Sequence, residues 1–260
     1  MSYGMPYMGS KNQIAKWVID HIPASDYLYD LFGGGGAITH CACESGKFKH
    51  VIYNELYPIT FKGFDMAIHG KFNNENRWIS REDFNKLKSK DPYVAICFSF
   101  GNNLRSYCYS EKTEKLKKAL HYAICFDDFS LLENLGIKLK RKSSGRIELT
   151  KQVKELLNLN RLEMQNLEAL NRLESLERLQ SLERLQSLDY RRVRIKNNSV
   201  IYCDPPYKDT AKYTVDFSHN EFYKWCKKQK QLTIISEYNM PEDFICIAEK
   251  EKRVILSDNS

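Results

Sequence analysis

What this chain lacks narrows its chemistry before anything it contains. Among its eight cysteines there is no Cys-x-x-Cys pair, and Cys41-Ala42-Cys43 sets two thiols too close for a zinc knuckle. Its six histidines form no His-Glu-x-x-His. Metal-assisted hydrolysis therefore has no motif to rest on, and no metal is expected. The cysteines read as buried, reduced thiols of a cytoplasmic protein. No apolar run is long enough to span a membrane, and the first residues carry no signal-peptide hydrophobic region. The dinucleotide fingerprint Gly-x-Gly-x-x-Gly is missing as well. Counted from Gly33 its last position falls on Ile38, and counted from Gly34 on Thr39. A nicotinamide-dependent oxidoreductase is disfavoured on that ground.

What is present suits one large domain carrying an insertion. The 260 residues are 42% hydrophobic, enough for a full core. Lysine and arginine number 40 against 33 acidic residues, a basic excess that fits a polyanionic partner without requiring one.

Helix and strand patterns alternate over the first sixty residues. A helix over 10–22 follows from Ile14, Trp17, Val18 and Ile22 at helical spacing, with Ser10 and Gln13 as a capping box and Pro23 as the stop. Strands are expected at 27–32 and 50–56, with a glycine turn and a helix between them. Beyond residue 70 the pattern loosens. Tyr93–Phe100 reads as a strand or a buried segment, 112–136 as one helix ended by Gly136, and 138–146 as a basic loop. From Leu170 to Leu188 a leucine recurs at every third position. A step of three drifts by roughly 60° per repeat around an α-helix, so the run is no heptad coiled coil and reads as a helix of drifting contacts or a tolerated insert. Strands return at 199–203, 232–238 and 244–250, with a helix at 218–230. The organisation expected is an α/β catalytic domain, residues 1–70 and 190–260, interrupted by a mostly helical insertion, 71–189.

In open α/β sheets, ligands bind outside the carboxyl ends of the strands. Three such ends carry suggestive residues. The first is Asp30-Leu31-Phe32 followed by Gly33 to Gly36, where the backbone can approach a ligand closely. A tight turn alone would account for the glycines equally. The second is Glu55, whose carboxylate can accept ribose hydroxyls. The third is Asp204-Pro205-Pro206-Tyr207, a stiff arc offering a carboxylate, backbone carbonyls and a flat ring. Lys11, read as lying in the first turn of a helix, opposes the macrodipole unless it reaches an anion such as a ligand carboxylate.

Taken in order, these pieces resemble the Dam-like, D12 class adenine-N6 DNA methyltransferases. Pro6–Lys11 is similar to the family's N-terminal motif, Asp30–Ala37 to its glycine motif, and Tyr53–Leu56 to its ribose-binding strand end. Asp204–Tyr213, with Thr210 and Tyr213, is similar to its catalytic motif, and Ser236–Phe244 to a later strand and turn. The resemblance covers about 1–60 and 188–256. It implies a Rossmann-like class I methyltransferase sheet with helices on both faces, a helical target-recognition insertion, and S-adenosylmethionine as cofactor. The cofactor contacts would be Tyr7, Lys11, Asp30, Phe32, Gly33, Gly35, Glu55 and Asp204, with Asp189 and Tyr190 beside its adenine. Catalysis would fall to Asp204, Pro205, Pro206 and Tyr207. The Asp204 carboxylate and the Pro205 carbonyl would accept the two hydrogens of a flipped adenine's N6 amine while Tyr207 stacks on the base.

The partner implied is double-stranded DNA in a bacterial or phage-infected cell, within a DNA-methylation or restriction-modification role, with the enzyme acting as monomer or weak dimer. Asn102, Asn103 and Arg105 are candidates for base readout, or alternatively loop caps. Lys140, Arg141 and Lys142 are candidates for phosphate contact, or a solvated basic loop. The sequence departs from the family in carrying Glu55 for the commoner aspartate and Leu31 for proline. Its last segment, 251–260, also stops where relatives often continue into closing strands. A catalytically impaired DNA- or cofactor-binding relative is the alternative that this ending suggests.

Overall fold

The computed structural model describes residues 2–138, 150–151, 153–155, 164–176, 179–207 and 217–250. Lys140, Arg141, Lys142, Thr210, Tyr213 and the last ten residues lie outside that set.

Five parallel strands make one sheet in the order β3-β2-β1-β4-β5. They are β1 (Ser25–Asp30), β2 (Phe48–Asn54), β3 (Leu182–Gln186), β4 (Ser199–Cys203) and β5 (Leu232–Ile235). A parallel strand covered on both faces is apolar throughout, and Ser199-Val-Ile-Tyr-Cys203 is buried along its whole length. Helices α1 (Ala15–His21) and α2 (Ala37–Ser45) pack on one face with Leu28, Val51, Val200 and Tyr202. The helix α9 (His219–Lys227) covers the other through Phe222, Tyr223 and Cys226 against Tyr29, Ile52 and Ile201. The chain runs outward from β1 to β2 and β3, then returns to β4 on the other flank of β1. That reversal leaves a crevice between β1 and β4 at their carboxyl ends. The fold is the expected Rossmann-like α/β sheet.

Between β2 and β3 lie α3 (Pro58–Ile68), α4 (Arg81–Leu87), α5 (Pro92–Cys97), α6 (Glu111–Phe126), α7 (Ser130–Asn134) and α8 (Gln165–Glu174). The apolar faces of α3, α4, α5 and α8 join Met5, Phe64, Phe84, Val94, Ile96, Phe98, Leu170 and Leu173 in the largest core cluster, while α6 and α7 pack in a separate one through Leu120, Ala123 and Leu132 with Met164 and Leu167. No helix among the described residues is long and apolar enough to cross a membrane.

Several local expectations are corrected. The first helix starts at Ala15, with Ile14 in the capping position, so Ser10 caps no helix. Its hydroxyl instead accepts from the Asn12 amide in a turn. Of the two readings of Tyr93–Phe100, the strand falls and the buried segment holds: Tyr93–Cys97 is buried as helix α5, opened by Pro92 and capped by Asp91, whose carboxylate accepts from the Tyr93 amide. The expected helix over 112–136 is two, because Asp127 adopts a left-handed conformation at φ 57° and ends α6. Residues 244–250 form no strand, and Ile245 is 88% exposed. The cysteines are all free, but Cys246 is exposed.

The leucine run is not one helix. It is α8 followed by strand β3, which joins the same sheet as β1 and β2, inside the segment read as insertion. A three-residue step should throw Leu182 and Leu185 to opposite faces of a strand. The register between β2 and β3 shifts at Val51/Ile52, and this irregularity takes up the odd residue. Both leucines then pack on the core cluster, while Glu183 and Arg184 are exposed.

Candidate active site

Strand register gathers the candidate carboxylates. Asp30 pairs with Tyr53 of β2 and with Tyr202 of β4. Glu55 and Asp204, each two residues past those partners, therefore emerge with Asp30 at one end of the sheet.

The glycine turn is built around close approach. Gly36 holds φ 72°, and a Cβ there would fall 2.2 Å from the Phe64 ring. A Cβ on Gly33 would fall 2.2 Å from the Tyr53 ring. Side chains at these positions would push the turn off the sheet end. The Tyr53 hydroxyl donates to the Gly34 carbonyl at 2.8 Å, and Gly33 donates to the Asn54 carbonyl at 2.8 Å. Tyr7 lies over the turn, its Cβ 2.7 Å from where a Gly35 Cβ would stand. The chain before it is tied down too, since Met5 donates to the Gly35 carbonyl at 2.7 Å.

Asp30 is 1% exposed, and its Oδ2 accepts from the Thr39 hydroxyl at 2.7 Å. Burial pushes its pKa up to about 7, with nearby Asp204 and Glu55 adding to the rise and Thr39 opposing it. Among the described residues its Oδ1 is buried without a hydrogen-bond partner. Glu55 is also pushed upward by burial. Its Oε2 accepts from the Gly34 amide at 2.8 Å and its Oε1 from the Tyr57 amide at 2.7 Å. The carboxylate thus braces the turn, and each oxygen keeps a second lone pair for a hydroxyl.

Asp204 sits across the crevice. Lys11 Nζ reaches its Oδ2 at 2.6 Å, with side-chain exposures of 13% and 18%. Burial raises the Asp204 pKa against the opposing pull of Lys11 and the Tyr207 hydroxyl. Among the described residues, Asp204 Oδ1 is buried without a well-formed hydrogen bond. The Lys11 ammonium also stands 4.7 Å from the centre of the Tyr207 ring, a cation–π contact. The anion that Lys11 reaches is therefore Asp204. Since the helix begins at Ala15, Lys11 does not oppose a helix dipole, and that argument for a ligand carboxylate falls.

Other candidates divide. Phe32 packs against Tyr190, ring centres 5.4 Å apart, in a cluster with Phe217 and Phe222. Asp189 turns its carboxylate to its own loop, accepting from the Arg191 amide and pairing with the Arg191 guanidinium at 2.7 Å. Asn102 donates from Nδ2 to the Ile96 carbonyl at 3.0 Å, and Asn103 Oδ1 accepts the amides of Arg105 and Ser106. Both asparagines thus do loop-capping work, while Arg105 is exposed.

Three contributors escaped the sequence reading. Asn54, 1% exposed, donates to the carbonyls of Leu31 and Leu188 and accepts from the Leu188 amide, tying three strand-end segments together. His219 donates from Nε2 to the Pro206 carbonyl at 2.8 Å and steadies the arc. His40 accepts the Gly4 amide at 3.1 Å. For Asn54 the adjacency to Glu55 was a usable signal. For the two histidines there was none.

A model of the D12 class N6 adenine-specific DNA methyltransferase family matches residues 7–244, and the chain belongs to that family. A search of curated proteins returns no match.

Proposed function

We propose that this member of the D12 adenine-N6 family transfers a methyl group from S-adenosylmethionine to N6 of an adenine flipped out of duplex DNA at a specific sequence. The observation that carries the reading is the Asp204 carboxylate: one oxygen held by Lys11 at 2.6 Å, the other buried without a well-formed hydrogen bond among the described residues. A buried acceptor lacking a donor is costly, and an amine presented by a ligand would relieve it.

The residues fit the cofactor. A bound cation would satisfy Asp30 Oδ1 and offset the crowding of three carboxylates at one sheet end. Glu55, with lone pairs to spare, suits ribose hydroxyls, and the glycine turn allows close approach of a nucleoside. When bound, S-adenosylmethionine supplies an electrophilic methyl group. The protein's own contribution is positional and electrostatic. Asp204 and the Pro205 carbonyl accept the amine's hydrogens and turn its lone pair outward, Lys11 favours the ionised form of Asp204 against the effect of burial, and Tyr207 stacks on the base. The insertion between β2 and β3 serves target recognition, and Arg105 is its described candidate for DNA contact.

Purified protein incubated with labelled S-adenosylmethionine and unmethylated DNA should yield N6-methyladenine by mass spectrometry. Asp204→Ala should fold, bind cofactor and yield at least about a hundredfold less product. Full activity in that variant would sink the assignment of Asp204. A folded parent that binds cofactor and DNA without turnover would favour the impaired binding relative.

A further inference from the structure

Helix α8, in which the leucine run begins, carries two polar side chains whose partners lie far from it. Arg172 on α8 donates from Nε to the Gly4 carbonyl at 2.9 Å and from Nη2 to the Tyr3 carbonyl. The segment it holds is the one laid over the glycine turn, through Met5 to Gly35 and Gly4 to His40. At the start of the same helix, Gln165 accepts the Gly101 amide at 2.9 Å and donates to the Ser99 carbonyl. The loop it holds bends through three left-handed residues, Gly101, Asn102 and Leu104, with φ between 56° and 61°. The two grips meet: Met8 donates to the Asn102 carbonyl at 3.2 Å. A closed ring results, running from Arg172 through residues 3–8 to Asn102, along the loop to Gln165 and back along α8. The helix is pinned beneath by Leu170 and Leu173, each 1% exposed.

We propose that α8 is a brace coupling the 99–105 loop of the insertion to the cofactor turn, with Arg172 and Gln165 as its positioning residues. Neither touches the reacting atoms. Arg172 matters because a planar guanidinium can serve two successive carbonyls at once, which a lysine ammonium reproduces poorly. Gln165 matters because the loop's left-handed residues need an outside hold. Ordering at one end of the ring is then felt at the other, and the coupling is reciprocal. The ring's use in catalysis rests on the methyltransferase reading, but its existence does not.

Hydrogen exchange on the full-length, ligand-free chain separates the two. Arg172→Lys should speed exchange at the Met5 and Met8 amides and also at Gly101, and Gln165→Ala should speed it at Gly101 and also at Met5. The far-end change should be roughly fivefold or more in each variant. Unchanged exchange at the far end in both would overturn the brace, whatever the activity. With a parent shown to methylate DNA, Arg172→Lys should raise the cofactor KM about tenfold with kcat changed less than about twofold. A fall in kcat at unchanged KM would overturn the positioning role. A parent that neither binds cofactor nor methylates would defeat the proposed function and leave the exchange result to decide the brace.

Discussion

At the ends of β1 and β2 the carboxylates are held by near neighbours in the chain. Asp30 takes its hydrogen bond from Thr39, nine residues on, and Glu55 from Tyr57 and Gly34, two and twenty-one residues away. At the end of β4 the reverse holds. Asp204 depends on Lys11, 193 residues earlier, and its arc is steadied by His219 beyond it. The carboxylates of the first half are held from within one βαβ unit, although residues 4–7 also lie on its glycine turn. Asp204 is held only where the N-terminal segment meets the end of β4. On the function proposed above, the first half is the cofactor side and the second is the base side, the one that depends on tertiary assembly.

The comparison breaks hardest at Lys11. Lys11→Met leaves a buried Asp204 charge unpaired, and breaking such a pair costs about 3–5 kcal/mol. Without Lys11 the Asp204 pKa rises further above its unfolded value. The cost is then absent below the unfolded pKa and grows as pH rises through the folded one. Denaturant unfolding of parent and variant at pH 5 and pH 8 should show a larger gap at pH 8. A gap independent of pH would mean that the pair contributes packing alone.

The cofactor side is probed by Asp30, whose folded pKa is raised from 3.8 to about 7. The stability tied to this group is fully present below about pH 4 and is lost as pH rises through 7, a loss on the order of a few kcal/mol. Asp30→Asn keeps an acceptor for Thr39 and removes the titration. The variant should therefore be more stable than the parent at pH 8, by an amount that vanishes near pH 4. Added S-adenosylmethionine, by favouring the ionised carboxylate, should flatten the parent's slope between those limits. Parallel stability curves for the two proteins would remove Asp30 from the account.

The same division explains what could be read from sequence. Asp30, the glycine turn, Glu55 and the Asp204 arc lie at strand ends that short apolar runs mark plainly, so the crevice and its carboxylates were legible. Asp91-Pro92 was a helix start in plain view, outweighed by the apolar run after it. Lys11 was found, but its partner lay 193 residues away and no local pattern names such a contact. Arg172 and Gln165 were hidden because their partners lie 168 and 64 residues away, and the leucines that follow draw the attention. The strand at 182–186 was hidden because a step of three suits a strand only where the pairing register shifts. Residues 244–248 form a short apolar run as a buried strand would, yet such a run makes no strand without a neighbour to pair with.

The finest test of the divided site is His219, which holds the Pro206 carbonyl by one hydrogen bond of 2.8 Å. His219→Ala removes a single donor, worth about 1 kcal/mol to stability. If the base side is set separately from the cofactor side, kcat should fall several-fold, by roughly what 1 kcal/mol supplies, while cofactor affinity stays within about twofold. Steady-state kinetics at saturating DNA, beside direct titration of cofactor, would read both numbers from one preparation. If affinity falls in step with kcat, the Pro206 carbonyl is coupled to the glycine turn and the two halves act as one. If neither moves, the stiffness of two consecutive prolines is enough to hold the arc, and the histidine is only its neighbour.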